Sequence, residues 1–166
     1  MKVGLGLGSN VGDRLLHLQQ ARLYLRSLSS GQWCQVSPVY ETEPVGCPVG
    51  SQNFFNAVVE IEFSGAPLSL LKKVLAYEKA QGRDRSTGAN APRTIDIDIL
   101  YFGEQAIIEK DLIVPHPRLV ERRFVLVPLS TLRPEMIIKG TGKTVKLLLH
   151  ELPVREGEVR FVQQDW

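Results

Sequence analysis

The sequence predicts an α+β domain with a ferredoxin-like βαββαβ core, in which helices pack on one face of an antiparallel sheet, plus a C-terminal extension. The hydrophobic pattern indicates elements in the order strand, helix, strand, strand, helix, strand, which is the split βαβ arrangement. The chain has 166 residues, which is about the length of one domain. Its 43% hydrophobic and 23% charged residues are ordinary for a globular protein. We therefore expect residues 1–166 to form a single domain.

The first half of the predicted core begins with an apolar strand over residues 2–8. Leucines then recur at helical spacing, which predicts an amphipathic helix over about 13–29, and Asp13 is a suitable cap for its first turn. Residues 32–40 have the composition of a strand, in which Pro38 favours an edge position or a bulge.

The second half of the core follows a loop over residues 41–52, which contains two prolines and two glycines. The hydrophobic pattern predicts a strand over residues 53–63. It predicts a helix over residues 66–80, where a proline suits the first turn. A second long loop covers 82–94, and a strand follows over 95–102. Both loops are long enough to suggest a functional role, although they could equally be plain connections.

The remainder of the chain is less regular. Gly103 and Glu104 can turn the chain back into residues 105–109, and residues 118–132 have a partly helical pattern. The tail that runs to Trp166 has no clear pattern. Boundaries predicted in this way are uncertain by roughly 2–4 residues.

Charge, cysteine content and hydropathy argue against several classes of function. A net charge of +2 is too small to indicate a nucleic-acid or membrane partner. The two cysteines, Cys34 and Cys47, lack the spacing of a disulfide framework or a zinc site. No apolar stretch is long enough for a signal peptide or a transmembrane helix. We therefore expect a cytoplasmic protein.

Two aspartates occupy alternate positions of the last predicted core strand. Because side chains alternate across a strand, Asp96 and Asp98 face one side of the sheet while the isoleucines between them face the other. Neighbouring carboxylates raise each other's cost of ionisation, which a cation relieves. Magnesium accepts one or two carboxylates together with substrate phosphates. The alternative is a solvated outer face of a half-exposed strand.

Arginines cluster on both sides of this acidic pair. Guanidinium groups match phosphate oxygens bidentately and stay charged, so acidic metal ligands flanked by arginines are typical of a polyphosphate site. Singly, each arginine could be a surface charge, and that interpretation is favoured for Arg118 and Arg123. The cluster consists of Arg83, Arg85 and Arg93 before the pair, and Arg118, Arg122 and Arg123 after His116.

Other patterns are weaker or fail. The glycines at 4, 6 and 8 lack the third glycine of a dinucleotide-binding fingerprint, and residues 142–144 lack the first glycine of a Walker loop. Phe54, Phe55 and Phe124 are candidates for stacking a flat ring, with core packing as the alternative. Asn56 lies on the same strand face as Phe54, where an amide could bind the edge of a heterocycle.

Long motifs support a family resemblance. They are GLGSNVGDR ending at residue 14, SPVYETEPVG (37–46), NFFNAVVEIE (53–62), GRDR (82–85), APRTIDIDILYFG (91–103) and VPHPRLVERRFVLVPL (114–129). With these motifs in this order, the chain resembles the 6-hydroxymethyl-7,8-dihydropterin pyrophosphokinases of folate biosynthesis. The resemblance implies that diphosphate passes from ATP to the hydroxymethyl group of a reduced pterin, with release of AMP. ATP is then a co-substrate and Mg²⁺ the cofactor.

The resemblance also implies residue roles. Asp96 and Asp98 would hold two magnesium ions, and together with Arg83 and Arg93 they would form the catalytic set. The remaining ATP-binding residues would be Glu78, Arg85, Ile99 beside the adenine, His116 and Arg122. The pterin would lie between Phe54 and Phe124, with Thr42, Val45 and Asn56 bonded to its edge.

Some positions depart from the family's usual pattern. Asn90 stands where a tryptophan is common, and Phe54 stands where tyrosine is common. Neither change removes a metal ligand or a phosphate-binding arginine, so we expect an active enzyme with altered loop closure. We also expect a monomer that binds small molecules and neither nucleic acid nor membrane. The alternatives are a ferredoxin-like nucleic-acid-binding module, which would need basic and aromatic residues where the aspartates stand, and a catalytically inactive relative.

Overall fold

The structure is a computed structural model that describes most of the chain. The described residues are 1–44, 47–83, 91–153 and 158–166. The predictions for Val45, Arg85 and Asn90, and parts of both long loops, lie outside these ranges.

The described residues form eight strands, four α-helices and two short 3₁₀ turns. The strands are β1 (Lys2–Ser9), β2 (Cys34–Val36), β3 (Val39–Thr42), β4 (Phe54–Glu62), β5 (Asp96–Phe102), β6 (Ile107–Ile108), β7 (Ile113–Val114) and β8 (Arg160–Gln163). The helices are α1 (Arg14–Leu28), α2 (Pro67–Ala80), α3 (Arg123–Leu132) and α4 (Val145–Glu151), and the 3₁₀ turns are Ser30–Gln32 and Leu119–Glu121.

The main sheet has the predicted antiparallel ferredoxin-like arrangement. Its order is β5-β1-β4-β3-β8, with β2 also paired to β4. Each of these pairs is antiparallel. The α+β class and the core order are therefore confirmed.

The local signals at both predicted helix starts are also confirmed. The Asp13 carboxylate accepts a hydrogen bond from the Leu16 backbone N–H at 3.0 Å, which satisfies one of the free donors of the first turn of α1. Pro67 is the first residue of α2, where its missing N–H costs no helical hydrogen bond.

The strand predicted over 32–40 is divided into β2 and β3 at Ser37 and Pro38. The Ser37 hydroxyl accepts from the Val58 N–H at 2.9 Å, and the Ser37 N–H donates to the Val58 carbonyl at 2.9 Å. Pro38 has no N–H to give to the ladder, so the serine side chain replaces a main-chain bond at the break.

Residues 105–109 do not continue the main sheet. Ile107 pairs with Val114 and Ile108 with Ile113, so β6 and β7 form a separate two-stranded sheet. The outer edge of β5 is partly used by the chain after β7, because the His116 N–H donates to the Leu100 carbonyl at 2.8 Å.

Helices pack on both faces of the main sheet, whereas the sequence predicted them on one. One core contains Leu5, Val59 and Ile97 together with the buried faces of α1 and α2. A second core, with Val58 and Leu100, packs against α3 and α4. The alternation of neighbouring residues 58 and 59 between the two cores shows that they lie on opposite faces.

The tail has more structure than its sequence indicated. The Tyr40 and Glu41 positions of β3 pair with Phe161 and Arg160 of β8. Trp166 is only 6% exposed, and its indole N–H donates to the Ser37 carbonyl at 2.7 Å. Among the described residues, the helices are all too short or too polar to cross a membrane.

Candidate functional site

A cavity of about 540 Å³ opens on the sheet face that α3 partly covers. Strands β1, β4 and β5 contribute its floor, and the segment from His116 to the start of α3 contributes a wall. Most of the predicted site residues line it. They are Thr42, Phe54, Asn56, Arg83, Arg93, Asp96, Asp98, His116, Arg122 and Phe124.

The acidic pair projects into this cavity as the strand alternation predicted. Asp96 and Asp98 line the cavity, while Ile97 and Ile99 are buried in the opposite core. Asp96 pairs across the sheet with Gly8, and Asp98 with Gly6. Since the partner residues have no side chains, nothing from β1 fills the space beside the carboxylates.

Arginines already neutralise these carboxylates. Asp96 accepts hydrogen bonds from Arg83 Nη1 and, at 2.7 Å, from Arg93 Nη1. Asp98 accepts a weaker bond from Arg122 Nη1 at 3.4 Å. At the charged end of the cavity, guanidinium groups and carboxylates therefore lie within hydrogen-bonding distance of each other.

The environment of Asp98 disfavours its charged form. Removal from bulk water, and then the charge of Asp96, raise the pKa of Asp98 above its usual value, although His116 and Arg122 act in the opposite direction. A divalent ion between the two carboxylates would reverse this effect.

His116 is biased toward its neutral form. Burial lowers the pKa of His116, and the arginines beside it add to this effect while Asp98 opposes it. Its Nδ1 accepts a hydrogen bond from the Arg118 backbone N–H at 3.1 Å. In the neutral ring the proton then sits on Nε2, which is able to donate to an anionic ligand.

Arg93 is held in place by its backbone while its side chain keeps an unused donor. Its N–H donates to the Asn10 side chain at 2.8 Å, and its carbonyl accepts from the Asn10 N–H at 3.1 Å. Among the described residues, Arg93 Nε is buried with no hydrogen-bond partner. A buried donor of this kind is costly unless a ligand supplies an acceptor, and a phosphate oxygen would do so.

Glu78 and Ile99 do not line this cavity. The Glu78 side chain is 1% exposed, and it accepts from the Ile97 N–H at 2.7 Å and from Arg83 Nη1 at 3.0 Å. It therefore joins Arg83 to β5. The Ile99 side chain is 4% exposed and faces the core, so only its backbone remains available to a nucleotide.

The other end of the cavity combines two aromatic rings with a polar pair. Phe54 and Phe124 both line it. The Asn56 amide donates to the Thr42 hydroxyl at 2.8 Å, and both side chains are buried. Phe55, also a stacking candidate, belongs instead to the opposite face, where the Arg14 guanidinium lies 3.8 Å from its ring centroid.

Several lining residues were missed by the sequence analysis. Arg118 was interpreted as a surface charge, yet it lines the cavity together with Glu43, Cys47 and Leu100. Gly6 and Gly8 were considered only as part of a failed dinucleotide fingerprint. The sequence did contain a signal for their role. Glycines at alternate positions of a strand leave one face of the sheet without side chains, which makes room for a ligand.

The chain matches a known protein family over most of its length. The family model described as 7,8-dihydro-6-hydroxymethylpterin-pyrophosphokinase matches residues 4–134, which include every lining residue named above. The chain belongs to this family. The predicted resemblance is thereby confirmed.

Individual relatives agree with this assignment. The 2-amino-4-hydroxy-6-hydroxymethyldihydropteridine pyrophosphokinase of Bacillus subtilis is 44% identical over 138 residues, covering 83% of this chain and 81% of that protein. The enzyme of the same name from Pseudomonas aeruginosa is 38% identical and covers 92% of both chains. The folic acid synthesis protein fol1 of Schizosaccharomyces pombe is 35% identical over 90% of this chain, which spans only 20% of that longer protein.

Solved structures support the fold. A crystal structure of Plasmodium falciparum HPPK-DHPS superposes with a TM-score of 0.73 at 17% identity and covers 90% of this chain. This chain spans 45% of that longer one.

Proposed function

We propose that the cavity is the active site in which this chain transfers diphosphate from ATP to the hydroxymethyl group of 6-hydroxymethyl-7,8-dihydropterin, releasing AMP. As a member of the family, the chain is an ATP-dependent pyrophosphokinase of folate biosynthesis. The single observation that carries the location is that one cavity joins a charged end to an aromatic end. The charged end suits a triphosphate and the aromatic end a flat heterocycle.

We propose that Asp96 and Asp98 hold two Mg²⁺ ions. Among the described residues, no group of three or more acidic, histidine or cysteine side chains could hold a metal alone. Two carboxylates suit magnesium, which completes its coordination with phosphates and water. The raised pKa of Asp98 supports a cation site there. When bound, the metal supplies charge neutralisation and orientation of the phosphates.

The chain's own residues would bind and orient the triphosphate. Arg83, Arg93 and Arg122 present guanidinium donors at the acidic pair. The Nε of Arg93 is buried without a partner among the described residues, and a phosphate oxygen would supply the missing acceptor. Neutral His116 would donate from Nε2. Arg85, outside the described residues, is assigned to ATP on the resemblance alone.

The pterin would occupy the aromatic end. Its ring would stack between Phe54 and Phe124, and its polar edge would bond to Asn56 and Thr42. Val45, outside the described residues, is assigned to this edge by resemblance.

In the proposed reaction, the pterin hydroxymethyl oxygen forms a bond to the β-phosphorus of ATP, while the bond from that phosphorus to the α,β-bridging oxygen breaks. The electron pair leaves with AMP, and the hydroxyl proton passes to solvent. Catalysis depends mainly on positioning and charge neutralisation, and we assign no protein general base.

We further propose that residues 1–166 act as one domain and as a cytoplasmic monomer on small molecules. A nucleic-acid-binding role is disfavoured because two carboxylates occupy the sheet face that such modules use, and they would repel a phosphate backbone.

The experiment is direct. The protein is incubated with ATP, Mg²⁺ and 6-hydroxymethyl-7,8-dihydropterin, and the nucleotide product is resolved by chromatography. AMP that forms in equal amount to pterin diphosphate supports the proposal, with omission of the pterin as the control. ADP or free phosphate as the main product would contradict diphosphate transfer.

A further inference from the structure

The C-terminal strand β8 lies beyond residue 134, where the match to the family model ends, yet it is attached to the wall of the active-site cavity. It pairs with β3, whose last residue, Thr42, lines the cavity. Arg160 and Thr42 also line one small adjoining cavity of about 110 Å³. Strand β8 is therefore the immediate neighbour of the strand that carries Thr42 of the proposed pterin site.

One carboxylate connects this strand to two other elements. Glu41 Oε2 accepts from Arg160 Nη2 at 2.8 Å, and Oε1 accepts from Arg14 Nη1 at 2.9 Å. The same Arg14 nitrogen donates to the Asn53 carbonyl at 2.7 Å, just before β4. The Glu41 and Arg14 side chains are about one-fifth exposed and that of Arg160 is 55% exposed, so solvent screens the Arg160 pair more than the Arg14 pair. Glu41 thus ties β8, α1 and the start of β4 together.

The polar pair of the pterin site is carried by these same strands. Thr42 follows Glu41, and its hydroxyl accepts from Asn56 on β4. At the other end of β3, Trp166 donates to the Ser37 carbonyl and is buried against Arg22. Strand β3 is consequently held at both ends by residues of the C-terminal segment.

We propose that β8 is a positioning element for the pterin, acting through the contacts Arg160–Glu41–Arg14. This rests on the proposed function, which puts the pterin edge at Thr42 and Asn56. The described groups assigned to ATP and metal lie on α2, between α2 and β5, on β5, and between His116 and Arg122, and none of their hydrogen bonds described above involves β8. Loss of the Arg160–Glu41 contact should therefore weaken pterin binding without weakening ATP binding.

The test is the variant Arg160→Gln, which keeps a polar side chain but removes the charge. We expect the KM for the pterin to rise by about threefold, the size expected for a partly exposed ion pair, with the KM for ATP and kcat unchanged. Arg160→Lys keeps one charged donor toward Glu41 and should restore the wild-type KM.

The matched control is Lys143→Gln, which removes an exposed ion pair of 2.6 Å to Glu151 on α4. It should leave both KM values unchanged. An unchanged pterin KM in Arg160→Gln, an equal rise in both KM values, or the same effect from Lys143→Gln would overturn the proposal.

A third variant separates this proposal from the location of the site. Asn56→Ala removes a buried amide of the proposed pterin edge. If it raises the pterin KM while Arg160→Gln does not, only the role of β8 is wrong. If Asn56→Ala leaves the pterin KM unchanged, the proposed location of the pterin is wrong, and the inference fails with it.

Discussion

At the scale of single residues, Asp96 is the centre of the charged end of the site. It is bonded to Arg83 and Arg93, and its side chain is 20% exposed. Its removal leaves Arg83 still paired with Glu78. The charge of Asp96 is therefore more important to the proposed metal site than to the fold.

We predict that Asp96→Ala lowers kcat/KM by on the order of a thousandfold, which matches the several kcal/mol expected from lost metal-assisted charge neutralisation. The free energy of unfolding should change much less. The measurements are steady-state AMP release and urea unfolding, with Asp111→Ala on an exposed residue as the control. Near-wild-type turnover in Asp96→Ala would rule out the metal role.

Arg93 allows a second prediction at this scale. The Nε of Arg93 has no partner among the described residues. It would stabilise the negative charge that develops on the transferred group by donating a hydrogen bond to one of its oxygens. Arg93→Ala should reduce kcat by about a hundredfold to a thousandfold. Arg26→Ala, on the exposed side of α1, is the control. An unchanged kcat would show that Arg93 has no role in the catalytic step.

Sequence reasoning was effective for residues whose roles follow from local spacing. The alternation of Asp96 and Asp98 fixed their shared face, because it depends on strand geometry alone. The bond between Glu78 and the Ile97 N–H was not predicted, because it joins α2 to β5 and no local pattern indicates such a contact. Arg118 was missed because it was interpreted as a surface charge, whereas an exposed side chain can also line an open cavity.

At the scale of elements, a buried polar group ties α3 to the sheet. Glu60 on β4 is 1% exposed and accepts hydrogen bonds from the Tyr101 hydroxyl and, at 2.9 Å, from Arg133 Nε. Arg133 follows the last residue of α3, whose first turn carries Phe124. Burial and the Glu60 charge raise the pKa of Tyr101, so it remains a donor at neutral pH.

Gly4 makes room for this network. A Cβ at Gly4 would lie 2.0 Å from Tyr101 Cε1, so the ring would have to move away from Glu60. We predict that Gly4→Ala lowers the free energy of unfolding by about 1–3 kcal/mol, as overpacking does. Gly6→Ala should have a smaller effect, because its Cβ would meet only the flexible Leu100 side chain at 3.4 Å. Equal urea midpoints for the two variants would contradict this argument.

The elements that sequence predicted well are those with several periods of their own pattern. Strands β1, β4 and β5 and helices α1 and α2 all have seven or more residues. The two-residue β6 and β7 and the four-residue β8 are too short for periodicity, and they exist because a partner strand is adjacent. Their positions depend on tertiary contacts.

At the scale of the whole molecule, binding should be visible as stability. A ligand that binds only the folded chain stabilises it by about 2.7 kcal/mol at a hundred times its Kd. We predict that Mg²⁺ with a non-hydrolysable ATP analogue raises the Tm in thermal unfolding, and that EDTA abolishes the rise. Asp96→Ala should lose the shift while keeping the Tm of the ligand-free protein. A shift that is insensitive to EDTA would contradict a metal-dependent site.

The bare floor under the cavity has a consequence for inhibition. An inhibitor that lies on Gly6 and Gly8 meets main-chain atoms, whose chemistry no point mutation alters. A replacement at Gly8 would place a Cβ 3.4 Å from Asn56 Oδ1, inside the cavity in which we propose that the pterin binds. If the pterin binds there, a change at Gly8 that excludes such an inhibitor would weaken substrate binding as well.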